Sequence, residues 1–130
     1  MASQNESGFR TFELTGSAGI SAFQAVNVNN DGTISACANG VKGIGVVQEA
    51  LGTIPATQYG KVKLWSAPGT FMLIASNTSV TAGSQYSIIT GGFVGTVTGG
   101  LITGANAPFL LALTTASQGS VAEFSTNFLT

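Results

Sequence analysis

This chain has no histidine, one cysteine, three prolines and very little charge. Asp, Glu, Lys and Arg together make up 7% of its 130 residues, against about 25% in an ordinary soluble protein. Each shortage closes a class of chemistry. Without histidine there is no Ser-His-Asp triad, no His-ligated zinc and no imidazole acid–base pair. The single Cys37 permits no internal disulfide and gives no sign of an oxidising compartment. Arg10, Lys42, Lys61 and Lys63 are the whole basic complement, too few to hold a nucleic-acid backbone by counterion release. Long apolar runs are missing too. Residues 101–116 are interrupted by Gly104, Asn106 and Pro108, and residues 1–8 are polar with no apolar signal-peptide core. No nucleic-acid partner, membrane span or signal peptide is expected.

The reactive groups that remain do not assemble into a site. A glycosidase needs two carboxylates flanking one bond. Asp31 falls in a turn, Glu6 in a loose N-terminal segment, and Glu13, Glu49 and Glu123 are far apart in sequence. Gly43-Ile44-Gly45 lacks the third glycine and the following helix of a phosphate loop, and reads as close strand packing. Asn5-Glu6-Ser7 and Asn77-Thr78-Ser79 fit the glycosylation sequon, which means little without a secretory signal. Cys37, in Ser35-Ala36-Cys37-Ala38, reads as a small buried thiol. No catalytic, cofactor-binding or metal-ligating residues are assigned. The chain reads as a non-enzyme without cofactors.

In place of charge the chain has Ser, Thr, Gly, Ala and Val. Residues 65–122 carry no charged side chain. Charged residues normally keep proteins apart and guard sheet edges. Their absence fits a neutral, Thr-coated β-domain, or a surface that works against other protein, since interface cores are depleted in charge. A Thr-rich ice- or sugar-binding face would need regular Thr rows, and Thr96-Val97-Thr98 is the one clean alternation.

Period-two alternation marks strands at residues 24–29 and 58–65. Short apolar runs mark others at 43–47, 71–75, 86–89, 93–97, 109–113 and 121–124. Asn30-Asp31-Gly32, Asn39-Gly40 and Pro68-Gly69 supply turns. The strongest helical signal, 46–51, is one turn at most. Many short strands between turns predict an all-β fold, a single small β-sandwich or β-barrel domain. At an offset of 60 positions Ile20 matches Val80, Val28 matches Ile88, Gly32 matches Gly92, Ile34 matches Val94 and Leu64 matches Phe124. Chance similarity in so biased a composition competes with a duplicated β-unit spanning about 20–64 and 80–124. Residues 1–14 read as a flexible N-terminal arm, in which Phe9, Thr11 and Glu13 alternate with Arg10, Phe12 and Leu14 as a short extended piece without a clean face, and 15–130 as the β-domain.

Four residues are candidates for an interface with other protein, a partner or a further copy of the chain. Phe9, Phe12 and Leu14 would anchor an arm that adds a strand to a neighbour's sheet, or belong to a frayed terminus. Trp65 shares a strand face with Lys61 and Lys63, opposite Val62 and Leu64. Outward, it is an interface anchor. Covered by a loop or a second sheet, it is a packing residue.

The succession of Val26-x-Val28, Asp31-Gly32-x-Ile34, Gly43-Ile44-Gly45-Val46-Val47, Gly60-x-Val62-x-Leu64 and Gly69 is followed by a second round. That round comprises Val80-Thr81-Ala82-Gly83, Tyr86-x-Ile88 and Gly91-Gly92-x-Val94. This order resembles the small head-decoration, or capsid cement, proteins of tailed bacteriophages. The uncharged Thr/Ser-rich style is similar, more loosely, to cement proteins of cyanophages. The likeness covers about residues 18–124. It departs where Ala107-Pro108-Phe109 stands for Gly43-Ile44-Gly45 and where the second round adds the Gly-rich stretch 98–106. The resemblance implies a structural protein made in the host cytoplasm and bound to the outer surface of the capsid in the virion. It implies the major capsid protein and itself as partners, with a homotrimer preferred to a dimer, and stabilisation of the head by bridging capsid subunits. A receptor- or glycan-binding module of a phage fibre or appendage is the alternative.

Overall fold

In this computed structural model the described residues are 8–15, 19–51, 57–76, 78–95 and 109–126. They form ten β-strands and no helix: β1 Phe9–Thr15, β2 Ala25–Val28, β3 Ile34–Ala36, β4 Gly45–Val47, β5 Thr57–Leu64, β6 Phe71–Ile74, β7 Gln85–Ile89, β8 Phe93–Gly95, β9 Leu110–Ala112 and β10 Val121–Ser125. The all-β expectation holds. The helical turn expected at 46–51 is absent: Val46 and Val47 lie in β4 and are fully buried. β-branched residues fit a pleated, enclosed surface better than a short helix with no cap.

The strands divide by sequence half into two five-stranded antiparallel sheets, β1-β5-β4-β2-β3 and β6-β10-β9-β7-β8. The second order is the first with every strand advanced by five places. In each sheet the outer strands also meet, through parallel bridges Glu13–Thr33 and Ala75–Val94. Each sheet is therefore curled toward closure around its own apolar face. In the first unit that face carries Leu14, Val26, Ile34, Val47 and Val62. In the second it carries Leu73, Tyr86, Ile88, Val94, Leu110 and Phe124. Full burial of one such side chain contributes about 1.5–3 kcal/mol.

Strand register fixes which residues correspond. Ala25 pairs with Val46 as Gln85 pairs with Leu111. Val47 pairs with Val62 as Ala112 pairs with Phe124. The counterpart of Phe124 is thus Val62, not Leu64 as the fixed offset of 60 suggests. The connection from β8 to β9 is longer than that from β3 to β4, so no single offset can follow the whole register.

Strand β1 revises the reading of residues 1–14 as an arm. Residues 1–7 lie outside the described residues. Phe9–Thr15, however, pairs along its length with β5 of its own sheet, from Phe9–Lys63 to Thr15–Thr57. The alternation looks unclean in sequence because its inward side is Arg10, Phe12 and Leu14. Leu14 is buried, while the exposed Arg10 lies at the end of the sheet, where its charge reaches water.

The second sheet's apolar face lies against the outer side of the first sheet, so Ala25, Cys37 and Val46 share a core with it. Trp65 seals this junction. Its ring meets Phe71 and Phe109 edge-on at 4.9 and 5.2 Å, and its indole N–H donates to the Lys42 carbonyl at 3.0 Å. Backbone bonds tie the β7–β8 turn to the first unit. Ala25 N donates to Gly92 O at 2.7 Å, Gly91 N to Cys37 O at 2.8 Å and Gly40 N to Ile88 O at 2.9 Å. Gln24 Nε2 donates to Gly91 O at 2.5 Å.

Candidate functional site

A recess of about 570 Å³ lies on the first unit. Phe12, Val28, Ile44 and Leu64 form its apolar lining, and Arg10, Glu13, Asp31, Thr33 and Tyr59 its polar one. The β2–β3 hairpin supplies one wall. Its turn closes with Asn29 N donating to Thr33 O at 2.7 Å and Gly32 N to Asn29 O at 3.0 Å, with Gly32 at φ +86°. This is the turn that Asn30-Asp31-Gly32 predicts.

The charges at the recess are already engaged within the chain. The Asp31 carboxylate accepts the Thr33 hydroxyl at 2.6 Å and the Thr33 backbone N–H at 3.0 Å. These bonds, the hydroxyl's first, hold Asp31 below the usual carboxylate range. Tyr59, 62% exposed, stands opposite Glu13 in the ladder. Its hydrogen bond to the Glu13 carboxylate, with that carboxylate's charge, raises the phenol's pKa. Arg10 lies 5.3 Å over the Phe12 ring. At neutral pH the recess therefore offers an ionised Asp31 and a protonated Tyr59. Neither is poised to exchange a proton. Cys37 is 2% exposed and burial pushes its thiol up to about 12, which suppresses the nucleophilic thiolate. Among the described residues no group of three or more Asp, Glu or Cys side chains could hold a metal ion.

The structure places the four sequence candidates apart from this recess, except for Phe12. Phe9 is half-buried on the outer side of β1, with the Lys61 and Lys63 ammonium groups 5.7 and 5.9 Å from its ring centroid. Leu14 is in the first unit's core. Trp65 is half-buried and packs against Phe71 and Phe109 of the second unit. Lys63 joins these groups: it also lies 4.7 Å over Phe71, and its ammonium donates to the Thr70 carbonyl. Thr70 Oγ1 in turn donates to the Glu123 carboxylate.

Sequence reasoning missed the recess because its residues come from β1, the β2–β3 turn, β5 and the approach to β4. One signal was available. Asn29-x-Asp31-x-Thr33 has the spacing of side chains that bond their own turn.

No protein-family model matches this chain, and no curated protein is similar to it. Among solved structures, the chain is similar to the head fiber gp8.5 N base of bacteriophage phi29. The two share 15% sequence identity with a TM-score of 0.66, over 92% of this chain and 94% of that one. The likeness is one of fold, and it spans both units.

Proposed function

We propose that this chain is a non-enzymatic structural protein of a bacteriophage head, attached to the outer surface of the capsid as a cement or decoration protein. The observation that carries the proposal is the near end-to-end fold likeness to the base of a phage head fibre. Composition supports the same reading. A surface poor in ions can lie against other protein without the desolvation cost of buried charges. The partners are the major capsid protein and further copies of the chain, in trimers rather than dimers. Each copy adds a modest contact across a joint between capsid subunits, and an oligomer holds several subunits at once.

A second reading is favoured by what the structural neighbour is: the N base of a head fiber. The chain would then seat a fibre or receptor-binding appendage on the head rather than reinforce it.

Incubating the purified chain with empty head shells and pelleting them tests both. Saturable co-sedimentation at a stoichiometry tied to the shell lattice is the expected result. A cement raises the temperature at which loaded shells break, while a base binds without moving it. A chain that stays in the supernatant at every concentration overturns head attachment.

A further inference from the structure

We infer that the open recess of the first unit is the docking surface for the second unit of another copy of this chain, joined head to tail as the two units are joined within one chain. The observation is a correspondence between the recess and the internal junction. Strand register and turn position make Arg10 the counterpart of Phe71, Val28 of Ile88, and Asp31 and Gly32 of Gly91 and Gly92. Ile44 and Phe109 are counterparts too. Each precedes the middle strand and donates its N–H across it, Ile44 to Val26 O at 2.9 Å and Phe109 to Tyr86 O at 3.1 Å.

In the second unit every one of these counterparts is in the junction. Phe71 and Phe109 hold the Trp65 ring. Ile88, Gly91 and Gly92 exchange backbone hydrogen bonds with Gly40, Cys37 and Ala25. In the first unit the same positions line the recess. One interface geometry is therefore filled once within the chain and left open once.

Among the described residues, the position complementary to the recess is open as well. The first unit receives the second on the outer side of β2 and β4, at the cross-strand pair Ala25–Val46. The matching pair in the second unit, Gln85–Leu111, lies on the outer side of β7 and β9 with Gln85 exposed and Leu111 half-buried. Met72 and Leu113, each 42% exposed, extend the apolar character of that side. A chain with a recess on one unit and its mate on the other makes a heterologous contact. Such contacts propagate, and close into a ring when the rotation permits. The occupant is a second copy because, among the described residues, the outer side of β7 and β9 is the counterpart of the surface that already fills this geometry within the chain.

The inference is independent of head attachment and is read on the purified chain without shells. Sedimentation velocity of the wild type is expected to show a concentration-dependent oligomer. Val28→Lys, at the recess, and Leu111→Lys, on the outer side, are each expected to sediment as monomers. Mixed in equal amounts they are expected to form one-to-one dimers that grow no further, because one intact recess and one intact mate remain. Gln85→Lys, at an exposed position, replaces Leu111→Lys if circular dichroism shows that variant misfolded. A wild type that is monomeric at every concentration overturns the inference. So do single variants that still assemble, or a mixture that stays monomeric.

Discussion

Every basic side chain of this protein lies over an aromatic ring: Arg10 over Phe12, Lys42 over Phe109, Lys61 over Phe9 and Lys63 over both Phe9 and Phe71. Such contacts contribute about 0.5–1 kcal/mol each at exposed sites, and three of these rings border the Trp65 side of the first unit. Trp65 itself is the residue on which the junction turns. Trp65→Ala should cost on the order of 3 kcal/mol in denaturant unfolding of the isolated chain, and Trp65→Phe much less. The sequence showed the ring's face but not what faces it, because the covering strands are distant in the chain. Cys37 should resist aqueous thiol reagents in the folded state and react as the chain unfolds, which a stopped-flow thiol assay in denaturant checks. Asp31 makes the pH dependence specific. Its folded pKa lies below the unfolded value, so its contribution to stability is present above the ordinary carboxylate range and is lost as pH falls through the folded value. Thr33→Val removes the largest cause. Carboxylate titration by NMR should then show Asp31 moving back up toward its unperturbed value.

At the scale of elements, the two β-hairpin turns test how equivalent positions diverge. Gly32 and Gly92 both have positive φ, +86° and +77°. A Cβ at Gly32 would meet nothing, whereas one at Gly92 would collide with the Ala25 carbonyl. Gly32→Ala should therefore cost only the backbone term, about 1 kcal/mol. Gly92→Ala should cost several times more by separating the units, and paired thermal melts would show the difference. Turns and strands of this kind were legible in sequence because glycine, asparagine and period-two alternation act locally. Strand β1 was not. Arg10 on its inward side broke the apolar pattern, and a segment that looked like an arm for a neighbour completes its own sheet. Truncation through Thr15 should therefore unfold the first unit, by removing Leu14 from the core and the Glu13–Thr33 bridge. Far-UV circular dichroism of the truncated chain measures this. If the truncated chain keeps its spectrum and melt, β1 is dispensable.

For the whole molecule, composition was the most informative part of the sequence. It carried the fold class and pointed away from catalysis. The recess and the junction stayed hidden because both depend on how the units meet, and no local pattern encodes that. The scarcity of ions does make a prediction at this scale: association of the chain with itself or with head shells should change little between low and high salt. Steep loss of either with added salt would show that the few charges dominate after all. The curled sheets explain how so uncharged a chain stays a defined particle. Proteins usually keep stray strands from zipping onto a sheet by placing lysines, prolines or bulges along its margins. Here the margins of each sheet are turned toward one another, β1 beside β3 and β6 beside β8. Resistance to amyloid-like stacking is thus supplied by curvature rather than by ionic gatekeepers, and many such molecules could pack side by side without their ladders fusing.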